Sequence, residues 1–398
     1  MRISEAVRYV GVDDHRIDLF EGQYHVPNGM SYNSYLIIDE KIAVMDTVDI
    51  AFTKEWLENL EKELDGRTPQ YLIVQHMEPD HSASIPQFLE KYPKAQVVAT
   101  AKAFQMMEQF FPEAFKEEAL SGINAVDKKK VWITAENGGV LELGVHRLQF
   151  HFAPMVHWPE VMMTYEQTEK LLFSADAFGK FGALDVEDDW ISEARRYYMG
   201  IVAKYGVQVQ NVLKKASQLD ISMICPLHGP VLQENLEYFI EKYQTWSSYA
   251  PEKKGVVIVY ASIYGYTKQA ALFLSGELRK LGVDEVIVHD LARDDMAQAV
   301  ADAFQYDRLV LASSTYNGGV FPFMLEFLHH LLERNFQNRT VGIVENGSWA
   351  PMAAKVMKGM LEKSKNITFA ETSVTILSAM KEQDRQEIRK LAEELAEK

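Results

Sequence analysis

Apolar positions along this 398-residue chain fall into short runs broken by charged and turn-forming residues, and the runs change character near residue 250. Before that point RIDLFEGQYHV, SYLIID, KIAVMDT, YLIVQH, QVVAT, KVWIT, RLQFHFAP, VMMTYEQ and KLLFSAD read as strands. The charged stretch KEWLENLEKEL among them reads as a helix. Strand pairs interleaved with helices predict sheets covered by helices. After that point GVVIVYAS, EVIVHDL, RLVLASST and VGIVEN alternate with helical stretches, one starting near Thr267 and a last one rich in Glu and Lys. Near-continuous apolar strands of this kind predict a parallel sheet buried on both faces. The polar stretch WSSYAPEKKG, residues 246–255, reads as a linker, so the expected domains are 1–250 and 251–398.

Composition narrows the function classes. Hydrophobic residues make up 47% and charged residues 25%, as in ordinary soluble globular proteins. No apolar run reaches the roughly 18 residues of a membrane-spanning helix, and the charged start MRISEAVRYVGVDDH has no apolar core of a secretory signal. The net charge of -16 argues against a nucleic-acid partner, since phosphate binding needs a basic surface. Cys225 is the single cysteine, which excludes an internal disulfide and a four-cysteine metal site. Any metal must then be held by histidines and carboxylates. A lone thiol fits a reducing cytoplasm.

Such groups are concentrated in LIVQHMEPDHSAS, where His76, Glu78, Asp80 and His81 fall within six residues after an apolar strand. Pro79 in their midst predicts a loop. One histidine pair at a strand end is usually a solvated polar loop; four potential ligands together are not so easily explained. PMVHWPE adds His157, LLFSADAFG adds Asp176 and ICPLHGP adds His228, each after a strand. Imidazole suits Zn, Fe and Ni, and added carboxylates shift the preference toward harder ions and iron. His15, His146, His151, His289, His329 and His330 read as surface or core residues.

The ordered set H-x-E-x-D-H, Pro-x-x-His, Ser-Ala-Asp and His-Gly resembles the ligand order of the metallo-β-lactamase fold, over residues from about 30 to 230. Hydrolases of that fold carry histidine where Glu78 stands and usually bind zinc. With Glu78 in place the chain resembles the flavodiiron variant. The resemblance implies one iron on His76, Glu78 and His157, a second on Asp80 and His228, and Asp176 bridging them. His81 is a ligand in some members and turned away in others, where it would act from outside the ligand set or on solvent. His25 resembles a position near the site that donates a proton or hydrogen bond. Tyr197 or Tyr198 would face bound oxygen, or be ordinary partly buried tyrosines.

The second half carries three polar loops after apolar strands. The first, in VVIVYASIYGYTKQAA, holds Ser262, Ile263, Tyr264, Gly265, Tyr266 and Thr267 at a helix start, a place for a phosphate. It lacks both G-K-[ST] and G-x-G-x-x-G, so it is neither a Walker loop nor a dinucleotide fingerprint. It resembles the flavodoxin phosphate loop, with Ala261-Ser262 where many members have Asp-Thr. The second holds Ser314, Thr315, Tyr316, Asn317, Gly318 and Gly319; the third holds Asn346, Gly347, Ser348, Trp349 and Ala350. In a flavodoxin-like fold all three open at the strands' carboxyl ends, where FMN binds.

The expected fold class is therefore α/β, an N-terminal metallo-β-lactamase-like αββα sandwich followed by a C-terminal flavodoxin-like doubly wound parallel sheet. The flavodiiron resemblance implies FMN and two non-haem irons, acting together to reduce O2 to water or NO to N2O. It implies a head-to-tail homodimer, sometimes paired into a homotetramer, in which the flavin of one subunit faces the iron of the other. The chain closes on LAEELAEK without a C-x-x-C rubredoxin tail, so the expected donor is a separate rubredoxin, or reduced coenzyme F420 as in some relatives. Two rivals stand beside this reading: a di-zinc hydrolase with a flavodoxin module, and an FMN electron carrier with a non-catalytic metal domain.

Overall fold

The computed structural model describes residues 2–115 and 131–397. By their internal contacts they form two units, Met1–Tyr197 with Val207–Tyr243 and Tyr198–Gly206 with Gln244–Lys398. Among the described residues no helix is long and apolar enough to cross a membrane.

The first unit is built on two facing sheets. One has six strands in the order Val7–Tyr9, Tyr35–Ile37, Ala43–Met45, Tyr71–Ile73, Gln96–Ala99, Trp132–Thr134. The other has five, Val140–Glu142, Arg147–Phe152, Met162–Glu166, Leu171–Phe173 and Met223–Cys225. Alternate residues Tyr35, Ile37, Ala43, Met45, Tyr71 and Ile73 of the first sheet share one buried cluster with Leu148, Phe150, Met162 and Phe173 of the second. Period-two alternation sends Leu36, Val44 and Leu72 to the opposite face, and they are buried as well. That requires an outer helical layer, to which Thr53–Leu64 and Ile85–Lys91 contribute buried Trp56, Leu60, Leu64 and Phe88. The result is the expected αββα sandwich.

RIDLFEGQYHV is not one strand. It folds into two short antiparallel strands, Leu19–Phe20 and Tyr24–His25, because Glu21 and Gly22 both take positive φ (48° and 68°) and close a tight hairpin.

The second unit is a parallel sheet in the order Val286–Asp290, Lys253–Ala261, Tyr306–Tyr316, Arg339–Asn346, Ile367–Ile376. The chain starts in the second position of that order, so the winding direction reverses between Lys253–Ala261 and Tyr306–Tyr316, the usual ligand crevice. Helices Tyr266–Lys280 and Glu382–Ala396 place Ala270, Leu274, Leu278, Ile388, Leu391 and Leu395 in one cluster with the sheet. The fifth strand, ITFAETSVTI, is absent from the apolar pattern. It lies at the sheet edge, where only Ala370, Val374 and Ile376 are buried, so its remaining positions are free to be polar.

Candidate metal centre and flavin cradle

The segment after strand Tyr71–Ile73 is held in place from the neighbouring strand. Buried Asp46 accepts hydrogen bonds from the Gln75 backbone (2.7 Å), the Gln75 side chain (2.9 Å) and the His76 backbone (3.4 Å). Burial lifts the Asp46 carboxyl to about 6 even with these donors. The expectation of a loop through Pro79 is corrected here: Pro79–Ser82 forms one helical turn, with Pro79 at its start. Proline suits that position because the missing N–H has no intrahelical acceptor anyway. The turn carries Asp80 and His81 inward, and Thr47 Oγ1 donates to the His81 carbonyl at 2.8 Å.

Seven side chains converge in two groups, His76, Glu78, His157 and Asp176 in one and Asp80, His81 and His228 in the other. In the first, Nε2 of His76 lies 3.2 Å from Glu78 Oε2, 3.1 Å from Asp176 Oδ2 and 3.3 Å from His157 Nε2. His157 Nε2 lies 3.0 Å from both Glu78 Oε2 and Asp176 Oδ2. In the second, Nε2 of His81 and His228 are 3.0 Å apart, each 3.3 Å from Asp80 Oδ2. Asp176 reaches both groups, since its Oδ1 lies 3.4 Å from His81 Nε2 and 3.6 Å from His228 Nε2. His81, left open by the sequence, turns its Nε2 into the cluster.

This donor set fits a pair of metal ions. The buried oxygens of Asp80 and Asp176 accept no hydrogen bond, although imidazole nitrogens surround them. His76 Nδ1 is engaged by Glu160 Oε1 at 2.8 Å, so its Nε2 is the atom presented inward. The Nε2 atoms of His81 and His228, 3.0 Å apart, both turn toward the same point as Asp80 Oδ2. The carboxylates and imidazoles of the cluster also shift one another. Burial pushes the Asp176 carboxyl up, but His76 and the other imidazoles outweigh it and hold Asp176 well below the usual range. Burial pushes His157 down, but contact with Asp176 and Glu78 outweighs it and lifts the ring to about 9. His/carboxylate sets of this composition suit iron.

The surroundings are aromatic. Phe20 on the hairpin stands 5.5 Å from the His228 ring, and Tyr197 stands 5.6 Å from it. Tyr197 is buried, and burial followed by the charges of Asp176, Glu78 and Asp80 keeps its phenol protonated far above neutral pH. Tyr198 has a different neighbourhood, its ring 5.3 Å from Trp246. His25 is exposed on its strand, and its carbonyl accepts from Arg196. Two groups that the sequence did not single out are Asp46, at the end of a buried strand, and Glu160, three residues beyond His157. Glu21, at the hairpin tip, is raised to about 7 by burial and then by Glu78.

In the second unit the three expected loops lie at the carboxyl ends of adjacent strands. Ser262 Oγ accepts from the Gly265 N–H at 3.1 Å, and Gly265 takes φ 90° directly before helix Tyr266–Lys280. Thr267 Oγ1 and Ser314 Oγ, 2.8 Å apart, tie the first loop to the second. Thr315 Oγ1 accepts from Met352 N at 2.9 Å, tying the second to the third. Asn317 and Gly318 turn the chain so that Gly319 pairs back with Tyr316. On this fixed frame the rings of Tyr264 and Trp349 are 89% and 82% exposed. A Cβ on Gly265 or Gly318 would meet nothing within 4 Å. Open backbone beside free aromatic faces fits a flavin phosphate and ring.

Residues 30–229 match the family model described as ODP family beta lactamase. The chain belongs to that family. Residues 257–394 match a flavodoxin domain. A nitric oxide reductase of Moorella thermoacetica is 28% identical, over 99% of this chain and 97% of its own. An anaerobic nitric oxide reductase flavorubredoxin of Vibrio vulnificus is 27% identical, over 88% of this chain and 70% of its own. Among solved structures, rubredoxin oxygen:oxidoreductase from Desulfovibrio gigas superposes with a TM-score of 0.90 at 24% identity, over 100% of this chain and 98% of that one. That likeness is one of fold, and it extends over the whole chain.

Proposed function

We propose that this chain is an FMN-dependent diiron oxidoreductase that removes O2 or NO. Residues 1–250 serve as the metal half and residues 251–398 as the flavin half. The observation that carries the reading is Asp176, a single buried carboxylate with one oxygen toward each ligand group. His76, Glu78 and His157 would hold one iron, Asp80, His81 and His228 the other. The loops at Ser262–Thr267, Ser314–Gly319 and Asn346–Ala350 would hold FMN. When bound, the irons supply charge and one-electron chemistry and the flavin couples them to a donor.

The chain's own groups define the rest. Glu160 keeps Nδ1 of His76 protonated and its Nε2 directed inward. Phe20 and Tyr197 pack against the His228 ring, and Phe181 packs against both. Tyr197, held protonated, is available as a hydrogen-bond donor to a bound diatomic. Reduction of O2 to water needs four electrons and four protons; joining two NO as N2O and water needs two of each. The names of the relatives support both substrates. A rubredoxin, or reduced F420, is the proposed donor. A head-to-tail homodimer or a pair of such dimers is the proposed assembly, and the cytoplasm is the proposed compartment.

The deciding experiment is anaerobic measurement of O2 and NO consumption by iron- and FMN-loaded protein with a reduced rubredoxin. Consumption of either gas is expected. Consumption of neither overturns the reading, and two bound zinc ions with ester or lactam turnover would replace it with a hydrolase.

A further inference from the structure

His228 sits on a turn, Cys225–Gly229, with no regular structure of its own after strand Met223–Cys225. Backbone groups of such a turn must find partners elsewhere when buried. Here they find them on the segment Ser31–Tyr35. The His228 Nδ1–H donates to the Ser31 carbonyl at 2.7 Å, and the Gly229 N–H donates to Ser31 Oγ at 2.7 Å. The Asn33 side-chain amide donates to the carbonyls of Pro226 and Gly229, both at 2.8 Å. The Asn33 N–H donates to the Leu227 carbonyl at 2.8 Å, and Tyr35 OH donates to the Pro226 carbonyl at 2.7 Å. Ser31, Asn33 and Tyr35 are all buried.

The consequence for His228 is chemical as well as mechanical. A carbonyl can only accept, so Nδ1 must carry the proton and Nε2 is the atom turned toward Asp80 and His81. His76, in the other ligand group, is oriented by Glu160, a residue that shares no hydrogen bond with this clamp.

We infer that Ser31 and Asn33 are positioning residues that set His228 for the second metal, so that the two halves of the centre are loaded with separately tuned affinities. The inference rests on the dinuclear reading proposed above. Ser31 Oγ and the Asn33 amide hold the turn from either side, and losing one loosens His228 while leaving His76, Glu78 and His157 in place. Glu160 has the mirror role for the first metal.

The test uses full-length protein, stripped of metal and titrated with cobalt(II), whose absorption reports coordination. Ser31→Ala removes the acceptor for the Gly229 N–H. One of its two binding steps is expected to shift by about 10-fold or more, with the other unchanged. Ser31→Thr keeps a hydroxyl and restores the wild-type titration. Glu160→Gln weakens the other step, and the double variant shows both effects added. Thermal unfolding of the metal-free variants serves as the fold control. Asn33→Ser probes the clamp from its other side should Ser31→Ala fail to fold. Wild-type affinity for both ions in the clamp variants overturns the inference, as does equal weakening of both steps. Wild-type protein that binds no metal overturns the dinuclear reading and this inference with it.

Discussion

Nδ1 of His76 and Oε1 of Glu160 are 2.8 Å apart and fully buried, joining the loop after one sheet's strand to the segment that precedes a strand of the facing sheet. The same Glu160 oxygen accepts from the Met77 backbone at 2.9 Å, so one carboxylate fixes both the ring and its main chain. Glu160→Gln keeps an acceptor and loses the charge. Metal affinity is expected to fall by roughly 10-fold to 100-fold, read by titration of the stripped protein.

Asp176→Asn removes the one charge common to both ligand groups. Metal content is expected to fall below two per chain, and gas consumption by more than the roughly 100-fold typical of residues outside the ligand set. Elemental analysis and an oxygen or NO electrode check the two effects on one preparation.

The metal-free protein is expected to lose stability as pH rises from about 6.5 to 9. His157 has its folded value raised to about 9 from an ordinary 6.5, so its contribution is complete below 6.5 and is lost as pH climbs through 9. The loss is on the order of 3 kcal/mol. Bound metal displaces that proton, so the loaded protein should show a flat profile over the same range. Melting temperatures of both forms across this window decide it.

Trp349 and Tyr264 expose their rings on two of the three loops. Trp349→Ala is expected to weaken FMN binding by about 10-fold, the lower end of what an aromatic stack contributes. Quenching of flavin fluorescence during titration measures it, and the folded sheet should keep its melting temperature.

Cys225 is fully buried beneath the His228 turn, and burial pushes its thiol far above the ordinary value. It should resist a thiol reagent in native protein and react stoichiometrically once unfolded, since the thiolate is the reacting form.

The architecture of both halves was readable because alternation and apolar runs report burial directly. The strands from Tyr35 to Ala99 and from Arg147 to Phe173 lie within runs visible in the chain, and the ligand types stood at strand ends, but Val140–Glu142, mostly exposed, lay outside any such run. The edge strand ITFAETSVTI was not visible, because an edge position buries too little to write itself into the pattern. The turn at Pro79 was misread as loop because proline breaks a helix interior but suits its first position.

By itself, then, the sequence carried the two-part fold, seven candidate metal ligands that the structure gathers into two groups, and three polar loops at strand ends of the second unit. These depend on residue type and local spacing. Only the tertiary structure decided that His81 turns inward, that Tyr197 and Tyr198 lie in different surroundings, and that Asp46, Glu160, Ser31 and Asn33 support the centre. Those facts depend on hydrogen bonds between residues as much as 198 positions apart. No local periodicity carries that information; it arises only when two sheets close on each other and buried polar groups must find partners.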